Sequence, residues 1–166
     1  MIKEDIQQLF VRDLEKLHKE VAAYESEAVL WQVINGISNS GGNLCLHLLG
    51  NLNTYIGKNL GHTGYVRNRD LEFSQKNVPR EKLLTQIDEL VVTIEKTFAA
   101  LTDADLVEIY PEDVLGKPMT TNQFLIHLAG HLNYHLGQIN YHRRILGGIR
   151  SQVENYMQLK NQQGRS

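Results

Sequence analysis

Four of the seven histidines in this 166-residue chain crowd into one stretch: His127, His131, His135 and His142. On a helix, at about 100° per residue, they fall within an arc of about 80°. His131 and His135 are one turn apart, with Cβ atoms about 6 Å from each other, so their imidazoles can grip one ion from a single helix face. The same spacing also suits two partly buried, neutral histidines, each satisfied by its own hydrogen bond. Four inward-tending histidines on one helix favour a shared purpose, because every buried ring nitrogen needs a partner. A third ligand candidate lies in the segment Asn43 to Asn51, where His47 shares a helix face with Leu44, Leu48, Asn51 and Tyr55. Three neutral imidazoles from two packed helices would form an open metal site, with a position left for water or substrate. His127, one turn before His131, is the rival ligand. His142 is expected at the rim of the site or behind the ligands, and His18 and His62 at the surface. Cys45 stands about 160° from His47 around their helix and reads as a core cysteine.

Arg67 and Arg69, in the run Tyr65 to Phe73, are the other groups with chemistry to offer. Two guanidinium groups can grip a carboxylate or phosphate. They can equally pin the loop by ion pairs to Asp70 or Glu72, and this structural reading is preferred. Tyr55 and His127 are the candidates for a general base, and no catalytic residue is assigned.

These groups must be held by helices. Ile6, Leu9, Phe10, Leu14, Leu17 and Val21 recur at gaps of three and four, which predicts a first helix over about residues 3–24. The apolar patch 28–34 is expected to cross the bundle as an extended segment, and 35–42 to be a loop. A second helix starts near residues 40–43 and ends near Gly57. Residues 58–78 show no clear period and read as a long loop. Pro79 opens a third helix with Leu83, Ile87, Leu90, Ile94 and Phe98 as its buried stripe. A connector spans 102–119. Thr120 and Gln123 form a capping-box pattern before a fourth helix, expected to stop at Gly147-Gly148. On that helix Gly130, Asn133, Gly137, Asn140 and Arg144 form a face of small and polar residues. Such a face suits close approach by a neighbouring helix or by a second subunit. Together these elements predict an all-α, four-helix bundle with long loops over residues 1–149. A polar tail, 150–166, follows, with a short helix and then disorder from residue 161.

Composition narrows the function. Seventeen Lys and Arg oppose nineteen Asp and Glu, a net charge of −2, and no basic run interleaves with aromatics. Nucleic acid is not expected as a partner. The chain has no apolar run long enough for a membrane span and begins with charged residues, so a cytoplasmic protein is expected. One cysteine allows no intrachain disulfide, in keeping with a reducing compartment.

Two segments resemble a known family. His47 stands before Leu-Leu-Gly-Asn-Leu-Asn, similar to the second helix of the DinB/YfiT-like helical-bundle proteins. The segment His127 to Ile139 is similar to their His-rich last helix. The likeness extends from the first helix to about Gly147. It implies a DinB-like four-helix bundle and a divalent metal ion, nickel or zinc, held by His47, His131 and His135. It also implies a small-molecule substrate such as a low-molecular-weight thiol, and an enzyme of S-transfer or hydrolysis; the homodimer expected beside it rests on the small-residue face of the last helix. The alternative is a non-catalytic, metal-binding stress-response bundle acting through dimerisation.

Overall fold

A computed structural model describes the backbone of residues 2–163 and the side chains of residues 2–148. The elements are α1 (Ile2–Ala22), α2 (Glu27–Leu30), α3 (Gly41–Leu52), α4 (Arg69–Ser74), α5 (Arg80–Ala100), α6 (Asp103–Val107) and α7 (Thr121–Gln163). A π-helical turn, Asn53–Lys58, continues α3. The long helices α1, α3, α5 and α7 form a four-helix bundle, with α1 against α5 and α7, and α3 against α7. The fold is all-α, as the periodicity predicts. Its one extended pairing among the described residues is an isolated bridge between Ile109 and Thr120.

The helices form because their apolar stripes meet. Phe10, Leu14, Leu17, Leu48, Leu83, Ile87, Phe98 and Leu132 are fully buried in one core. Burying each such side chain contributes about 1.5–3 kcal/mol. Helix starts follow local chemistry. Ser40 accepts the amide of Asn43 to open α3. Thr120 and Gln123 make the reciprocal capping-box bonds that open α7. No described helix is long and apolar enough to cross a membrane.

Four expectations are corrected. Residues 28–34 are not extended throughout, because Ser26 caps the short helix α2 by accepting the amide of Val29. The loop 58–78 contains α4, whose first turn Asn68 caps and Asp70 and Glu72 suit by charge. The connector 102–119 contains α6, opened by a Thr102–Asp105 capping box. The last helix does not stop at Gly147-Gly148 but continues to Gln163. Neither glycine takes the left-handed conformation that ends helices, which among the described residues occurs in glycine only at Gly36 and Gly116. A glycine inside a helix costs about 1 kcal/mol without breaking it. Of the expected disordered end, residues 161–163 are helical and 164–166 lie outside the described residues.

On α7, Asn133 and Asn140 donate to Asp13 and Glu20 of α1. An added Cβ at Gly130 or Gly137 would meet nothing within 4 Å, so among the described residues no helix approaches closely there.

The short helix α4 is latched to the start of α3 by one side chain. Asn43 is fully buried, and its Nδ2 donates to the carbonyls of Glu72, Phe73 and Gln75 at 2.9, 3.1 and 2.9 Å. Asn43→Ala strands the buried Glu72 carbonyl and frees the part-buried carbonyls of Phe73 and Gln75, and is expected to destabilise the protein by about 1–3 kcal/mol in urea denaturation. A loss within experimental error would show that α4 is held by other contacts.

Candidate metal centre

His47 projects from the middle of α3, and His131 and His135 from successive turns of α7, so the packing of two helices brings the three rings together. Their centroids form a triangle with sides of 5.1, 5.1 and 4.6 Å. One nitrogen from each ring lies within 4.8 Å of the other two. The His47 and His131 Nε2 atoms are 3.3 Å apart. That is close to the spacing of two ligands about 2.0–2.1 Å from one tetrahedral ion.

In two of the rings the protein holds the Nδ1 nitrogen, which fixes the tautomer. His47 Nδ1 meets Glu72 Oε2 at 2.9 Å, and a carboxylate there requires an Nδ1–H donor. His135 Nδ1 meets Gln138 Oε1 at 2.6 Å with the same consequence. In both rings Nε2 is left as the lone-pair nitrogen, and that of His47 faces His131 Nε2. His131 Nδ1 is buried with no hydrogen-bond partner. Three borderline-soft nitrogen donors, two with oriented tautomers, fit a divalent zinc- or nickel-type ion.

Glu72 is the hinge of this arrangement. It is 6% exposed, and Arg67 grips it with Nε at 2.6 Å and Nη2 at 2.8 Å. Burial pushes its carboxyl up, but the bonds from His47 and Arg67 outweigh this and hold it below the ordinary glutamate range. Gly50 on α3 leaves the space it occupies: an added Cβ there would lie 2.1 Å from Glu72 Oε1. The structural reading of Arg67 therefore holds, with Glu72 as its partner. Sequence reasoning had weighed Glu72 only as a loop pin and did not link it to His47. Gln138 lies in the same arc of α7 as the histidines, three residues after His135.

The remaining histidines separate cleanly. His127 is exposed, stacked between Phe124 and His131, and is not one of the three converging rings. His142 is 3% exposed and satisfied at both nitrogens by Tyr24 and the Gln32 carbonyl. It is a core histidine, not a rim residue. His18 lies 3.7 Å from Asp88, and His62 is exposed. Cys45 is fully buried, and burial pushes its thiol up to about 12, so it is inert in the core.

A cavity of about 500 Å³ opens beside the cluster, with His47 and His131 in its wall. Tyr55, Phe124 and Leu128 give it an apolar side, and Arg67 and Arg69 a basic one. The π-helical turn carries Tyr55 here, and Tyr110 donates to the Tyr55 carbonyl at 2.7 Å. Turns of this kind recur at functional sites.

Compared with known proteins, residues 3–158 match the family described as "Protein of unknown function (DUF1572)". The fold is similar to the 2.01 Å crystal structure of a DinB-like protein from Bacillus cereus ATCC 10987. The TM-score is 0.70 and the identity 22%, covering 87% of this chain and 92% of the other. The likeness shows the fold. No curated protein matches the chain.

Two outcomes follow from this geometry. Gly50→Ala would raise helix propensity by about 1 kcal/mol. It is nonetheless expected to lower stability in urea denaturation, because its Cβ displaces Glu72; a gain would show that Glu72 relocates without cost. Burial, helped by the neighbouring histidines, pushes His131 down to about 4 from 6.5. Below pH 6.5 the unfolded chain therefore takes up a proton that the folded chain resists. The contribution is full above that pH and lost as pH falls toward 4. Metal-free protein should lose melting temperature across this window more steeply than His131→Gln, and equal slopes would contradict the assignment.

Proposed function

From the premise that this chain belongs to the DUF1572 family, in a DinB-like fold, we propose that it is a divalent-metal-dependent enzyme. His47, His131 and His135 hold the ion, zinc or nickel. The substrate is a small molecule, and the reaction is transfer to a low-molecular-weight thiol or hydrolysis. The observation that carries this reading is the convergence of the three imidazoles with Glu72 and Gln138 behind two of them. A bound ion supplies Lewis acidity, which lowers the pKa of a water or thiol at the open position. The chain's own part is to orient the ligands and to shield one side of the site with Tyr55, Phe124 and Leu128. The homodimer belongs to the same reading. Its contact face would be the exposed strip of α7 bearing Ile126, Tyr134, Tyr141 and Ile145.

Titration with zinc and with nickel tests the ligand set. His135→Ala should lose affinity by at least about 100-fold with its circular dichroism unchanged, since a ligand is lost from preformed helices. Glu72→Gln should lose about 10- to 100-fold, as partners behind metal ligands usually do. His127→Ala should lose less than His135→Ala. Loss of the ion from His127→Ala with retention by His135→Ala would move the site by one helical turn and overturn the assignment.

A further inference from the structure

The cavity beside the histidines has a charge pattern of its own. Arg67 and Arg69 line it, and no acidic side chain does. Arg67 spends Nε and Nη2 on Glu72. Arg69 lies over the Phe73 ring, 5.8 Å from its centroid, and has no ion pair or hydrogen bond among the described residues. A ring contact engages the face of a guanidinium and leaves its N–H donors available. Asn51, one turn after His47 on α3, is 7% exposed, and its Oδ1 is buried without a partner. A buried acceptor in this state costs free energy unless something supplies a hydrogen. Asn51 lines the same cavity, whose other wall is apolar, with Val114, Leu115 and Phe124.

We infer that this cavity binds a small amphipathic anion. Its carboxylate or phosphate is held by Arg69, its adjacent N–H or O–H donates to Asn51 Oδ1 once a half-turn of that amide brings the buried oxygen to the cavity wall, and its apolar body packs on Phe124 and Leu115. The inference rests on the metal-centre reading only for the role of the bound molecule, which that reading makes the substrate. Binding of the anion itself needs no ion. A volume of about 500 Å³ falls in the usual range for small-molecule sites. Arg69 supplies the charge and the apolar wall supplies area. Asn51 selects, because a ligand without the donor leaves its acceptor unpaired.

The test is calorimetric titration of the full chain, metal-free and zinc-loaded, with four probes. N-acetylphenylalanine carries the anion, the N–H and the apolar body. Its primary amide removes the charge, 3-phenylpropionate removes the N–H, and phenyl phosphate replaces the carboxylate. N-acetylphenylalanine should bind at least 10-fold tighter than its amide. Arg69→Gln should abolish that margin without weakening the amide, and Arg69→Lys should restore part of it. Asn51→Leu should bring N-acetylphenylalanine down to the level of 3-phenylpropionate and leave the latter unchanged. Tighter binding of phenyl phosphate than of 3-phenylpropionate would identify a phosphate ligand, and the reverse a carboxylate. Equal binding of the acid and its amide, or an Arg69→Gln variant that keeps the margin, overturns the inference. Zinc binding is read in the same samples. A chain that binds the acid but no zinc refutes the metal reading alone, and one that binds zinc without the charge margin refutes this one alone.

Discussion

A buried carboxylate must be paid in hydrogen bonds, and Glu72 is where this molecule meets that demand. It stands almost wholly inside the protein, ionised, between the Arg67 guanidinium and the His47 ring. Removing one partner of such a pair costs about 3–5 kcal/mol, because the other charge is left uncompensated. The geometry around the histidines is therefore not free to drift. Arg67 neutralises the carboxylate, the carboxylate fixes the His47 tautomer, and the tautomer decides which nitrogen faces His131 and His135.

Much of the local backbone exists to make that pairing fit. Glu72 needs a short helix placed against α3, and Asn43 supplies the latch through three carbonyls at the end of α4. It also needs room where a helix normally presents a Cβ, and Gly50 provides it. On the other side of the site, α7 is divided by face. One face carries His131 and His135, a second buries Leu128, Leu132 and Ile139, and a third bonds to α1 through Asn133 and Asn140. The apolar and α1-facing surfaces set the rotation of α7, and the histidines inherit their aim from it.

The four long helices and the three converging histidines were legible because both rest on one regular signal, the helical period. Leu14, Leu17, Ile87 and Leu132 lie where that period puts them. So do His131 and His135, since a one-turn spacing fixes their separation whatever the tertiary structure does. The short helices α2, α4 and α6 were missed because four to six residues hold too little period to show against a loop. Their caps, Ser26, Asn68 and Thr102, were the only local trace. Gly147-Gly148 misled in the opposite direction. Glycine signals a helix end through the left-handed conformation it permits, and permission is not obligation.

Glu72 was the residue hardest to read, and the reason is physical. Its partner His47 lies twenty-five residues away on another helix, so no spacing rule connects them. The three things that do connect them act at a distance in sequence: the Asn43 latch, the space at Gly50, and the fact that Arg67 alone is not the only group this carboxylate must satisfy. A glycine inside a leucine-rich helix is itself a signal, because it costs about 1 kcal/mol against alanine and needs a compensating close approach. Read that way, Gly50, one turn from His47 on the same helix, asks for a bulky neighbour close to the histidine. A charged neighbour that close to an imidazole orients the ring. The orientation of the metal candidate is thus written in a missing side chain as much as in the histidines themselves.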